Sequence, residues 1–239
     1  MNKFSILLFI VILFMMGCNG DATKEMLSPS VTLFFDKNSI GSGVIIETYR
    51  FTDKEDIAII LTVDHVIKAA QISKKDIKVM LFSYKDNGRL KDFKKVDSVS
   101  CGGDEFFDLA FLIAFIPKDS FLSAKITKKF EVLPGNKLYS AATFSGCIPF
   151  LNEGVFGGYY PSNLNKCING IFTGGIQRGC SGGPVYNEKY ELVGIITGYT
   201  FLKNKLGLFE LNIEYRHMGC FTPVDKKMID NLKTLLIGI

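Results

Sequence analysis

Short runs of β-branched, aromatic and aliphatic residues recur at 31–35, 43–51, 57–63, 77–84, 108–116, 137–144, 154–160, 167–173, 184–186, 191–200 and 209–215, broken by Gly, Asn, Asp and Pro. Runs of this length have the size of strands, and the residues between them are those that turn a chain. No helical pattern alternates with them, so they predict a barrel or sandwich rather than βαβ units. Only 225–236 has helical spacing, with Met228, Ile229, Leu232, Leu235 and Leu236 on one stripe. It predicts a closing helix packed on the β structure. The stretch 117–134 mixes Lys, Ser and Pro between two β-rich halves and is expected to connect two subdomains. Between 73 and 95 lie eight basic and three acidic residues, read as a solvated face and loop, with a contact to an anionic membrane or substrate as the alternative.

The length of 239 residues and the 47% hydrophobic content supply a real core for one large β unit or two small domains. The net charge of +4 is spread along the chain, which argues against nucleic acid as a partner. At the N-terminus, Asn2 and Lys3 precede an apolar or small run over 4–17, followed by Cys18 and a polar stretch. This is the build of a secretory signal, and the run is shorter than the ~20 residues that cross a bilayer. Met15-Met16-Gly17-Cys18 resembles a bacterial lipobox, which implies a signal peptide over 1–17 and an acylated Cys18. Plain signal cleavage, with Cys18 discarded or free, is the alternative. The expectation is an exported protein lipid-anchored to a bacterial membrane, periplasmic or at the cell surface, with a tether over 18–30.

Beyond Cys18 the cysteines are Cys101, Cys147, Cys167, Cys180 and Cys220, an odd set without a Cys-x-x-Cys pair. No metal site is expected. An oxidising compartment allows one or two disulfides and leaves at least one thiol unpaired or paired between chains.

Gly179-Cys180-Ser181-Gly182-Gly183-Pro184 places a hydroxyl in a glycine-rich turn. Such a turn is equally a plain entry to a strand. A serine nucleophile needs a base, and the base needs an orienting group. The sequence has two histidines. His65 ends an apolar strand-like run, a rigid platform, whereas His217 lies in a polar stretch. Asp108 enters the apolar run 108–116, where burial leaves it few partners except an imidazole N–H. As a bare pattern it is equally a strand cap, like Asp104 or Glu105.

Gly-x-Ser-Gly-Gly-Pro with a following Val193-Gly194-Ile195, preceded by Thr62-x-x-His65-Val66 and Asp108-Leu109-Ala110-x-Leu112, resembles the trypsin-like serine proteases, especially the bacterial HtrA-type branch. Gly41-Ser42-Gly43-Val44-Ile45 and Gly219-Cys220-Phe221-Thr222-Pro223 extend the resemblance. It implies an all-β fold of two six-stranded antiparallel barrels, here 31–130 and 131–239 with the closing helix. It also implies Ser181 as nucleophile, His65 as proton carrier, Asp108 as orienter, and the Gly179 and Ser181 amides as an oxyanion hole. A protein or peptide substrate would be cleaved through an acyl-enzyme without any cofactor. The alternative is a trypsin-fold lipoprotein acting as a binding module.

Several positions depart from the family. Cys180 stands where an Asp would pair with a freed N-terminus, so a chain active on folding, or controlled by other means, is expected. The Gly-Gly-Pro register keeps Ser181, not Cys180, as the attacker. Asp64 beside His65 either raises its pKa or points to solvent. The pocket floor falls at Gly175, with Thr197, Gly198 and Tyr199 as walls, which disfavours basic side chains and suits small or apolar ones. No chain is expected to remain for a PDZ domain after Leu236.

Overall fold

The computed structural model of the chain describes residues 22–35, 38–72, 76–85, 88–119, 121–144, 148–161, 168–206 and 209–238. The expected signal peptide, Cys18, Cys147 and Cys167 lie outside these residues, as do the side chains of Tyr199 and His217.

Among the described residues, twelve strands form two closed antiparallel barrels. The first contains β1 (Ser30–Phe35), β2 (Asn38–Arg50), β3 (Glu55–Thr62), β4 (Ile77–Tyr84), β5 (Leu90–Asp104) and β6 (Leu109–Pro117), in the order β1-β2-β3-β6-β5-β4. Helix α1 (Asp64–Ile72) follows β3. The second contains β7 (Lys137–Thr143), β8 (Pro149–Pro161), β9 (Ile168–Phe172), β10 (Pro184–Tyr186), β11 (Leu192–Leu206) and β12 (Phe209–Pro223), ordered β10-β11-β12-β9-β8-β7. Helix α2 (Lys226–Leu236) ends the fold, with Asp225 capping it by accepting the Met228 N–H at 2.9 Å.

Burial explains why the central strands read as continuous apolar runs. Successive strand residues face opposite sides, yet Ile59, Ile60 and Leu61 of β3 and Leu109 to Leu112 of β6 are all buried. Both faces of these strands are covered, so alternation disappears. The second core gathers Leu138, Phe156, Phe172, Val185, Ile196 and Phe221. The connection after β6 touches both barrels in turn: Ala124 N–H donates to the Ile45 carbonyl at 2.8 Å, and Thr127 N–H to the Leu192 carbonyl at 3.1 Å.

Two expectations are corrected. Residues 26–30 do not belong to a tether, because Met26 and Leu27 enter the first core and the Ile45 N–H binds the Pro29 carbonyl at 2.8 Å. Residues 90–95 are not loop but the first part of β5, paired with β4 through Phe82↔Phe93 and Met80↔Lys95.

Helix α2 follows the second barrel but packs on the first, with Ile229 and Leu232 inside that barrel's core while Leu235 is 72% exposed. Glu47 of β2 fastens it, accepting from Lys226 at 3.2 Å, from Lys233 and from Tyr49. Burial opposes the charge of Glu47, but hydrogen bonds from Lys233, Tyr49 and Lys226 prevail and hold its carboxyl below the ordinary 4.5. A depressed carboxyl stabilises the fold above its unfolded pKa, and that stability is lost as pH falls through the folded value. Glu47→Gln should therefore cost about 2 kcal/mol at pH 7, the scale of charged hydrogen bonds. The gap to wild type should narrow below about pH 4.5, as urea melts at pH 7 and pH 4 would show.

Candidate active site

Antiparallel pairing of β3 with β6 brings Thr62 opposite Ala110. The end of β3 thus lies beside the start of β6, and residues just beyond each, His65 and Asp108, meet. Asp108 accepts the His65 backbone N–H through Oδ1 at 3.0 Å and lies 2.8 Å from Nδ1 through Oδ2. A carboxylate only accepts, so in the neutral ring Nδ1 carries the proton and Nε2 keeps a free lone pair. Asp108 has a φ of 52°, a left-handed conformation that Asp tolerates better than most side chains. The preceding residue is tied at both of its backbone groups: Asp104 Oδ1 accepts the Phe107 N–H at 2.9 Å, and the Thr222 hydroxyl of the second barrel donates to the Phe107 carbonyl at 2.9 Å. The Asp108 side chain is 15% exposed and that of His65 48%, a sheltered carboxylate behind an open imidazole.

Asp64 points inward rather than to solvent. It is buried, pairs with Lys68 at 2.9 Å, and its carboxylate fills the space that a side chain at Gly103 would occupy. Lys68 also bridges to Glu105, so this acid is compensated within its own turn of α1.

Ser181 lies on the turn before β10. Gly179 and Gly182 take φ values of 97° and 88°, which suit glycine. The turn is bound to the first barrel by the Ser42 N–H, which donates to the Ser181 carbonyl at 2.7 Å. Gly41 links the two halves most directly. A Cβ built there would lie 2.9 Å from the Ser181 carbonyl oxygen and 3.1 Å from the Val66 methyls, next along from His65. Within the turn the amides of Cys180, Gly182 and Gly183 are all used, donating to Gln177, Ile196 and Cys180 carbonyls. Among the described residues, the N–H groups of Gly179 and Ser181 find no acceptor, nor do the Ser181 hydroxyl and His65 Nε2 form a hydrogen bond. Cys180 is fully buried and unpaired, and burial pushes its thiol pKa up, away from thiolate chemistry. Cys101 and Cys220 are unpaired as well.

The expected pocket residues lie where the 174–179 loop meets β11 and β12. The Gly175 carbonyl accepts from Asn152 Nδ2 at 2.6 Å, and Thr197 donates to the Cys220 carbonyl at 3.3 Å. Gly198 and Tyr199 pair with Cys220 and Gly219 through their backbones, and a Cβ at Gly198 would meet open space. Sequence reasoning missed Ile176, which is 2% exposed and packed against Gly219. Its signal was an apolar residue inside an otherwise polar turn. It also missed what Ser42, Thr62 and Thr143 do. These three hydroxyls are buried around the nucleophile turn.

The fold is that of HtrA-type proteases. It is similar to the HtrA-type protease AlgW, in a structure with a decapeptide, at 18% identity and a TM-score of 0.66, covering 91% of this chain and 67% of that one. It is similar to Deg5 at 17% identity and 0.66, covering 92% and 94%. The MamO protease domain from Magnetospirillum magneticum matches at 16% identity and 0.61, covering 87% and 97%. No curated protein matches the sequence. Residues 41–195 match the family model described as a trypsin-like peptidase domain, and the chain belongs to that family.

Proposed function

We propose that the chain is a serine endopeptidase, with His65, Asp108 and Ser181 as its catalytic residues. The observation that carries this reading is the His65 Nδ1–Asp108 pair, which leaves Nε2 as the basic atom, beside a junction where Gly41 packs between the Ser181 carbonyl and Val66. Ser181 Oγ attacks the scissile carbonyl carbon while His65 Nε2 takes its proton. The oxyanion formed is held by the unspent N–H groups of Gly179 and Ser181. Collapse breaks the C–N bond, with His65 returning the proton to the leaving amine. Water, deprotonated by the same nitrogen, then releases the acyl group from Ser181.

Peptides in the AlgW structures support a peptide or protein substrate. Gly175 at the pocket floor, with Thr197, Gly198 and Tyr199 as walls, favours small or apolar side chains before the scissile bond. Export and lipid anchoring at Cys18 complete the reading, supported by the sequence of residues 2–24. A fluorophosphonate probe tests the chemistry: tryptic mapping should find the adduct on the peptide that contains Ser181. Folded protein that takes no probe and cleaves no peptide would instead fit the binding-module alternative.

A further inference from the structure

We propose that the Ser42 side chain is a positioning group for the oxyanion hole, a role that rests on the serine-protease reading above. Ser42 belongs to the first barrel, yet its hydroxyl donates to the Gly179 carbonyl at 2.6 Å across the junction. The same oxygen accepts the Thr143 N–H at 2.9 Å and lies 2.8 Å from Thr143 Oγ1. A serine hydroxyl has one proton and two lone pairs. With its proton on Gly179, Thr143 Oγ1 must be the donor of the remaining bond, and the capacity of Ser42 Oγ is filled. Ser42 and Thr143 are completely buried, and Gly179 is half-buried.

The consequence lies in the peptide unit between Gly179 and Cys180. Its carbonyl is held by Ser42 and its N–H by the Gln177 carbonyl at 3.1 Å. A peptide fixed at both polar ends cannot rotate, although glycine by itself permits rotation. The amides on either side, Gly179 and Ser181, are the two without an acceptor. Clamping the middle peptide therefore aims both of them. The Ser42 carbonyl in turn accepts from the Thr62 hydroxyl at 2.7 Å, three residues before His65. One residue thus references the oxyanion amides to the strand that carries the base.

Ser42→Ala removes the clamp and leaves the Gly179 carbonyl only the Thr143 hydroxyl, 3.5 Å away. We expect kcat for a peptide substrate to fall about 100-fold, the scale of losing an oxyanion donor, with KM within about threefold of wild type. Affinity for a peptide aldehyde, whose adduct needs the oxyanion hole, should fall in parallel with kcat. Binding of uncleaved peptide to Ser42→Ala/Ser181→Ala should match that to Ser181→Ala. If Ser42→Ala does not fold, Ser42→Cys, which keeps the shape with a weak donor, decides in the same way. A folded variant with kcat within threefold of wild type, or with aldehyde and uncleaved peptide weakened equally, overturns the proposal. Wild-type protein that neither cleaves peptide nor takes a fluorophosphonate overturns the protease reading, and this role with it.

Discussion

Asp108→Asn should lower kcat by about four orders of magnitude, the loss seen when a triad carboxylate becomes an amide, while leaving the fold intact. Asp108 accepts twice from His65, at the backbone N–H and at Nδ1. An amide offers one oxygen and one NH₂. If the oxygen keeps the backbone bond, the NH₂ faces Nδ1 and selects the tautomer whose proton sits on Nε2. That nitrogen can no longer receive the Ser181 proton. The backbone should tolerate the change, since Asn accepts a φ of 52° as readily as Asp. Steady-state kinetics beside a thermal melt would check this. A kcat within tenfold of wild type at an unchanged melting temperature would remove Asp108 from its assigned role.

The largest stability effect is expected at Gly182. A Cβ there would overlap the Ser42 carbonyl oxygen and the Thr62 hydroxyl, which are bonded to each other at 2.7 Å. The φ of 88° adds the left-handed penalty for a side chain. Left-handed strain of about 1–2 kcal/mol and overpacking of about 1–3 kcal/mol make Gly182→Ala cost about 4 kcal/mol. That is a large part of the roughly 5–15 kcal/mol that holds a domain folded. Gly135 supplies the comparison, with a φ of 92° and open space around its Cβ position. Gly135→Ala should cost only the backbone strain, about 1–2 kcal/mol. Urea midpoints for the two variants would separate the effects, and equal losses would show that the junction yields easily.

The catalytic candidates were legible because each sits at a punctuation mark in the apolar pattern: His65 where β3 ends, Asp108 where β6 begins, Ser181 in the glycine turn before β10. Barrel strands covered on both faces were legible as apolar runs for the same reason. Strand β5 was not, because Lys91, Asp92, Phe93, Lys94 and Lys95 are all exposed. With neither face buried there, the hydrophobic signal of a strand vanishes and only the backbone pairing remains. Asp64 was read as a neighbour of His65 because the two are adjacent in sequence, while its actual partner lies one helical turn on, at Lys68. The hydroxyl cluster was hidden for another reason. Ser42 pairs with residues 101 and 137 positions away, and nothing in a short motif reports partners at that distance.

Helix α2 has a consequence for a chain that emerges from its N-terminus onward. The first barrel's core includes Ile229 and Leu232, and Glu47 of β2 finds its cations at Lys226 and Lys233. Strands β1 to β6 can pair as soon as they appear, but the helix that covers them is made only after the second barrel. The setting of Ser181 likewise requires Ser42 and Gly179 together. On the proposed reading, a chain cut short before this helix would carry His65, Asp108 and Ser181 without a finished first barrel to hold two of them.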